Sequence, residues 1–409
     1  MKKRSSESAQ VMPACRSCQS SNIAELLDYG HQPICNRFLV QPTDQEERFP
    51  LGLSQCRDCG LLQLTEVIPP AELAPRYTWI SYNEAEGHLD RMVEEILRAG
   101  KITRNAIIYG LSDKDVSTLA RLKDKGFRNT FLINPVSDLG IASPGAGIET
   151  IQDRFDATHA RAIAARQGKA DLVIARHILE HAHDLRRFGL ALQALLKPGG
   201  YLALEAPDFS MALEHFDYSA IWEEHIVYFT PATFQSAISR LGCKPLKLLN
   251  YPYALENSLV AISRFDNPGL CAPDAAALDK ELLNGQNYMQ NFKPTRDRLA
   301  DFLEHQRRER GMIAIYGAGH LSAKFVNLLN LKAFIEFIVD DNPCKNGLFM
   351  PGSKLPIIGP AALLDRGIRL CLLSLNPESE ARVVNNNQAF IKAGGQFASI
   401  FPASPRALK

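Results

Sequence analysis

Apolar and polar residues alternate in two registers through the middle of the chain. Short apolar runs, "NAIIYG" (105–110), "NTFLINP", "ADLVIARH" and "YLALEAP", are separated by "VSTLARLKDKG", "DATHARAIAARQG" and "FGLALQALLKPGG", whose apolar residues recur every three or four positions. Runs of the first kind suit strands covered on both faces, and spacing of the second kind suits amphipathic helices. Their alternation predicts an α/β fold with a parallel sheet between helical layers, and places ligand-binding residues at the carboxyl ends of the strands. An amphipathic helix over "LDRMVEEILRAG" precedes this unit. A second strand, turn and helix, "MIAIYGAGHLSAKFVNLL", opens another α/β unit after a charged helical segment, "PDAAALDKELLNGQNYMQNFKPTRDRLADFLEHQRRERG". The patterning divides the chain into residues 1–75, 76–265 and 266–409, in keeping with 409 residues being too many for one ordinary domain.

The 46 Lys and Arg against 45 Asp and Glu leave a net charge of +1, which removes any electrostatic reason to expect nucleic acid or an anionic membrane as partner. No apolar run reaches the length of a membrane helix, and "MKKRSSESAQ" does not lead into a signal-peptide core, so a cytoplasmic location is expected. Nine cysteines in a reducing compartment point to metal ligation and buried thiols rather than disulfides. Cys15 and Cys18 form one C-x-x-C, and Cys56 and Cys59 a second inside "LSQCRDCGLLQL". Two such knuckles complete a tetrahedral zinc site with no open position, hence a structural one. Cys35 has no partner at ligand spacing and reads as a packed thiol.

Two polar clusters follow predicted strands. "RHILEHAHD" carries His177, Glu180, His181 and His183. Its H-x-x-E-H would need a continuous helix to act as a metalloprotease motif, but here the first histidine comes directly off a strand, with a helix expected only from about Asp184. "IWEEHIVYFTPATFQSAISRLG" places Glu223, Glu224 and His225 before Tyr228 and Phe229, with Thr230 as N-cap and Pro231 at the first helical position. A carboxylate beside a histidine among aromatics suits proton abstraction.

Together these segments resemble the sugar C-methyltransferases, which methylate carbon 3 of 4-keto nucleotide-linked deoxysugars with S-adenosylmethionine. The likeness runs from the knuckles and "HQPICNRFL" through "YTWISYNEAEGH", "ADLVIARHILEHAHDL", "LLKPGGYLALEAPDF" and "EEHIVYF". It continues in "AIYGAGHLSAKFVNLLNL", "FIVDDNPCKNGLFMPGSKLPIIGP" and "CLLSLNPESEARV". It implies a class I methyltransferase (Rossmann-like) domain between a small zinc-binding N-terminal module and a second Rossmann-like domain. It also implies His225 as base, Glu224 as the group that orients it or stabilises its charged form, and His181 as an aid to proton transfer or a donor to the developing oxyanion. Tyr77, Ser81 and His88 resemble a segment that closes over the site. Trp222 and Glu223 depart from the family pattern.

The loop after the first strand departs too. "YGLSDKD" keeps Gly110, Ser112 and Asp113 as cofactor contacts but has Lys114 and Asp115 where relatives have an asparagine or aspartate and then a glycine. The second strand ends in Asn134, where an acidic residue would bind both ribose hydroxyls. His177 completes the expected cofactor set. Three readings follow: S-adenosylmethionine bound through altered contacts, a methyl-independent isomerase or epimerase using the same base, or a noncatalytic binder of a nucleotide sugar. In the last third, Gly317, Gly319 and Asp340 form an incomplete dinucleotide fingerprint. It is open to NAD, to a nucleotide-sugar phosphate on the helix N-terminus, or to a purely structural role.

Overall fold

The computed structural model describes residues 14–80, 84–142, 145–266 and 274–408. In the N-terminal part, β1 (Ile23–Pro33), β2 (Arg48–Cys56) and β3 (Leu62–Leu64) form an antiparallel sheet. Its knuckles bring the four predicted ligands together: the Sγ atoms of Cys15, Cys18, Cys56 and Cys59 lie within 4.8 Å of one another, with Cys15 to Cys59 and Cys18 to Cys56 both at 3.5 Å. Zinc–thiolate bonds of 2.3 Å in a tetrahedron require sulfurs about 3.8 Å apart, so the four thiols fit the ion. Crowding of the four sulfurs lowers the Cys15 thiol, through Cys56 and Cys59, and raises the Cys56 thiol.

The middle sheet has the order β5-β4-β6-β7-β10-β9. Its parallel core comprises β4 (Ile108–Gly110), β5 (Thr130–Leu132), β6 (Ala170–Arg176) and β7 (Leu196–Asp208). Next in the chain, β8 (Val227–Tyr228) leaves this unit and pairs with β3, so a strand from just after His225 becomes the fourth strand of the N-terminal sheet. The middle sheet then closes with β9 (Cys243–Tyr251) and β10 (Asn257–Phe265), β10 running antiparallel to both β7 and β9. Helices begin where capping chemistry predicts. Asp184 caps Leu185–Leu195, and Thr230 with Pro231 opens Pro231–Arg240.

The charged segment is one helix, Ala275–Arg310, with Pro294 inside it. It packs on the N-terminal sheet through Gly285, where a Cβ would lie 2.3 Å from Gln55 Oε1, and on the segment Tyr218–Ala220 through Tyr288, whose carbonyl accepts from the Tyr218 hydroxyl at 2.6 Å. The last unit is a parallel sheet, order β13-β12-β11-β14-β15, made of β11 (Ile313–Tyr316), β12 (Ile338–Val339), β13 (Ile357–Ile358), β14 (Leu370–Leu373) and β15 (Gln396–Ser399). One apolar cluster runs through Leu53, Trp222, Tyr288 and Ile315, so the three parts share a core. No helix among the described residues is long and apolar enough to cross a membrane.

The turn after β4 shows how the chain manages with one glycine. Asp115 is fully buried, and its carboxylate accepts the backbone N–H of Leu111 at 2.7 Å, of Ser112 at 3.1 Å and of Arg176 at 2.9 Å. The side chain therefore closes the loop onto β6, a task that close backbone approach at glycine would otherwise serve. Gly110 is needed for the same reason: a Cβ there would stand 2.7 Å from the Asp115 Cβ. Burial pushes Asp115 up to about 7, against the pull of those backbone donors.

Asp115→Ala strands three buried N–H groups and should cost about 3 kcal/mol or more in urea denaturation; a loss below about 1 kcal/mol would show that water replaces the carboxylate. Zinc analysis of purified protein should give one ion per chain, and Cys56→Ser should both empty the site and lower stability by several kcal/mol, a fraction of the ~10 kcal/mol or more available from structural zinc. Wild-type protein that stays metal-free in zinc-replete buffer would contradict the assignment.

Candidate active site

The strand ends of the middle sheet open onto a cavity of about 770 Å³. Six of the predicted residues line it directly: Tyr77, Asp113, His177, His181, Glu224 and His225. Gly110 and Ser112 lie behind it as the frame of the β4 turn, with Ser112 accepting from Lys114 N. Asn134 does not reach it. Its Oδ1 caps the next helix by accepting from Val136 N at 2.9 Å and Ser137 N at 3.0 Å, and the residue is exposed. The acceptor capacity read as a ribose contact is thus used on the chain's own backbone.

Beneath the cavity floor lies Glu205, on β7. Its Oε1 is 3.1 Å from His177 Nε2, 3.0 Å from His88 Nε2 and 2.7 Å from the Ser258 hydroxyl that donates to it, while Oε2 accepts from Arg176 Nε. Burial opposes ionisation, but His177, His88 and Arg176 override it and hold Glu205 well below the usual carboxylate range. His177 shows the reciprocal effect. Despite burial, Glu84 and Glu205 raise it well above the ordinary imidazole value, so it is a cation held in place, at a backbone φ of +48°. His88 turns into this network and onto the Tyr253 hydroxyl at 2.7 Å, away from the lid role suggested by its segment. Ser81 lies outside the described residues. Tyr77 packs against Trp79 with ring centroids 4.7 Å apart.

On the opposite wall, the turn after β6 is not helical, which disposes of the metalloprotease geometry. His181 Nδ1 bonds Glu149, and that carboxylate raises the imidazole against the effect of burial. His183 points elsewhere; its carbonyl accepts from Arg16 of the zinc module at 2.7 Å. His225 is half-buried with its ring 4.8 Å from that of His181, edge to face at 85°. Burial first, then the neighbouring His181 and His320, press His225 well below its ordinary value, which favours a neutral imidazole there, while Glu149 favours the charged form of His181. Glu224 accepts from Asn36 Nδ2 at 3.0 Å, and burial together with Glu149 and Glu223 raises its carboxyl well above the usual range. The loop carrying these residues is stitched at both ends. Ile226 N donates to Glu180 O at 2.7 Å, and Leu64 N donates to Ile226 O at 2.9 Å.

Sequence reasoning missed several cavity residues. His320, at the start of the helix His320–Leu328, stacks on Trp222 with centroids 4.3 Å apart and planes 15° apart. The "GAGH" turn is the available signal, but its glycines point to NAD, a phosphate or a structural turn and leave its histidine unremarked. Glu149 and Glu84 had none, since each lies far in sequence from its partner. Glu84 faces Lys114 Nζ at 3.0 Å. Glu180 Oε1 lies 3.4 Å from His177 Nδ1, while Glu180 Oε2 and Glu149 Oε2 are buried without a hydrogen-bond partner. A second cavity of about 310 Å³ adjoins the first, sharing Asn36, Ile80, His320 and Leu321 with it, and is otherwise lined by Gly317, Gly319, Asp340, Lys345, Ser374, Phe38 and Trp79 among others.

Comparison with known proteins matches three family models in chain order: "Putative zinc binding domain" over residues 15–73, "Methyltransferase domain" over 112–248 and "C-methyltransferase C-terminal domain" over 274–402. The C-methyltransferase NovU of Streptomyces niveus is 24% identical over 412 residues, covering 96% of each chain. Among solved structures, a 1,6-didemethyltoxoflavin N1-methyltransferase of Burkholderia thailandensis is 14% identical, covers 43% of this chain and 77% of its own, and has a TM-score of 0.28. An S-adenosylmethionine-dependent methyltransferase of Aquifex aeolicus is 11% identical, covers 44% and 94%, and also scores 0.28. The chain thus carries a zinc-binding module, a methyltransferase domain and a C-methyltransferase C-terminal domain in that order and is similar along nearly its whole length to a C-methyltransferase, matches that support the sugar C-methyltransferase family.

Proposed function

We propose that the protein methylates the carbon next to the ketone of a nucleotide-linked keto sugar, with His225 as the base. The observation that carries this reading is the neutral His225 imidazole set edge-on to the cationic His181 at the wall of the larger cavity. A neutral imidazole can accept the proton, and a cationic one beside it can donate to the ketone oxygen as negative charge develops there. Glu224, kept protonated by its surroundings and oriented by Asn36, adds a second neutral donor without placing another negative charge beside the enolate. Trp222, Leu255 and Leu321 keep that part of the wall apolar, which limits water at the reacting carbon.

S-adenosylmethionine, when bound, supplies an electrophilic methyl on a sulfonium. The residues present suit it. Lys114 and Glu84, side by side on the cavity wall, match the carboxylate and ammonium of an amino acid, and the unpartnered oxygens of Glu180 and Glu149 suit a cationic ligand. Asp115 restores the loop closure that the missing glycine removed, so the departures after β4 no longer argue for the methyl-independent or noncatalytic readings.

The nucleotide of the substrate is assigned to the smaller cavity. Gly319 starts the helix His320–Leu328 with nothing within 4 Å of where a Cβ would be, which leaves room for phosphate at the helix N-terminus, and Lys345 lines the same space. Asp340 accepts from Ala318 N at 2.7 Å and pairs with Lys345 at 3.0 Å. Its engagement with the chain's own loop favours a phosphate ligand over a dinucleotide that needs a free carboxylate for its ribose.

Calorimetry on zinc-loaded protein should detect binding of both S-adenosylmethionine and its demethylated product, and no heat with either would sink the methyltransferase reading. With a panel of nucleoside-diphosphate 4-keto-6-deoxyhexoses, His225→Ala should lower kcat about 10³-fold and abolish deuterium exchange next to the ketone, while leaving cofactor binding intact. Because the folded pKa of His225 is depressed, the base stays deprotonated as pH falls. The rate should therefore hold steady through pH ~6.5 and decline only well below it; an acid limb at or above that value would point to a different base.

A further inference from the structure

The residue immediately before the Glu224–His225 pair takes no part in the chemistry above, yet it is among the most firmly held in the protein. Glu223 is 2% exposed. Its Oε1 accepts from Cys35 N at 2.5 Å, and its Oε2 lies 2.6 Å from Lys324 Nζ and 3.5 Å from Cys35 Sγ. Cys35 follows β1 in the zinc module, Glu223 belongs to the catalytic loop, and Lys324 sits in the helix His320–Leu328 of the last domain. One buried carboxylate thus joins all three parts of the chain.

The helix grips the loop twice. His320 and Lys324, four residues apart, lie on the same helical face; His320 stacks on Trp222 while Lys324 pairs with Glu223, the next residue along. Lys324 is 1% exposed, so neither charge can turn to water if the other is lost, and a buried ion left without its partner is strongly unfavourable. Despite burial, Lys324 holds Glu223 below the usual carboxylate range, and Cys35 and Glu223 hold Lys324 above its ordinary value. These two loop positions, Trp222 and Glu223, are also the two that depart from the family pattern, and both find their partners on that one helix.

We propose that the Lys324–Glu223 ion pair is a positioning device through which the C-terminal domain sets the orientation of the base His225. Lys324 and Glu223 touch no reacting atom; they act by holding the loop on which His225 is carried. The inference rests on His225 being the base, and the consequence is that the C-terminal domain contributes to the chemical step as well as to substrate binding.

The test uses full-length, zinc-loaded protein with isotope-labelled histidine, the His225 ring signals being identified by their loss in His225→Gln. Lys324→Met and Glu223→Gln should each move the His225 titration upward by about one pH unit as the loop loosens, and should cut methyl-transfer kcat by about 10- to 100-fold with binding of S-adenosylhomocysteine unchanged. The double variant, which leaves no unpaired charge but also no link between loop and helix, should regain stability while its His225 signals stay displaced from wild type. Should Lys324→Met fail to fold, Glu223→Gln and the double variant carry the same comparison. Single variants that melt at lower temperature but leave the His225 signals and titration where they were would overturn the proposal, since that is what a merely structural ion pair does. If wild-type protein transfers no methyl group, the ring signals still decide the positioning role, and that failure counts only against the assigned reaction.

Discussion

Charge buried next to a cavity must be balanced locally, because ions removed from water are costly unless paired, and this site is arranged around that constraint. Glu205, completely buried, lies among His177, His88 and Arg176; Glu149 meets His181; Glu223 meets Lys324. Each pair fixes a protonation state. With His177 and His181 already cationic, a third imidazole beside them cannot readily take a charge in the resting protein, and His225 is left neutral. In the proposed mechanism burial first and the neighbouring histidines second keep the base His225 neutral, whereas the E-H sequence pair suggests a Glu224-assisted histidine.

The legible parts of this architecture were those that local chemistry dictates. Two C-x-x-C knuckles bring four thiols together because each turn holds its own pair, so only the meeting of the turns needs tertiary structure. The alternating strands and helices, the Asp184 and Thr230 caps and the polar residues at the end of β6 follow from spacing alone. Asp115 was not legible. An aspartate in a turn reads as a cap or a surface residue, and its role depends on Arg176, 61 positions later. Asn134 misled for the opposite reason: its place after β5 suggested a ligand contact, while the local helix start had a prior claim on its side chain. Glu149, His320 and Lys324 belong to the site only through packing between distant segments, and no periodicity encodes that.

Division into three stretches is a property of the sequence pattern more than of the physical contacts. Val227 and Tyr228 complete the zinc module's sheet, Asn36 of that module orients Glu224, and the long helix Ala275–Arg310 packs against both the N-terminal sheet and Tyr218. The zinc site therefore acts at a distance. It holds the knuckles, the knuckles hold β2 and β3, β3 holds β8, and β8 is two residues from His225. The four-cysteine site and His225 are connected by a short run of backbone hydrogen bonds.

The departures in the cofactor turn and in the loop before His225 group into coupled sets, whereas Asn134 stands alone as a helix cap. Lys114 and Asp115 change the cofactor turn together: the aspartate rebuilds loop closure from inside, while the lysine turns outward to Glu84. Trp222 and Glu223 change the catalytic loop together, each matched by a residue on the helix His320–Leu328. Replacing only one member of such a set would leave an orphaned charge or backbone donor, whereas replacing both leaves a closed network. A loop that looks degenerate residue by residue is consistent with retained chemistry when its substitutions compensate in space, and here the compensation for each is visible at hydrogen-bond or stacking distance.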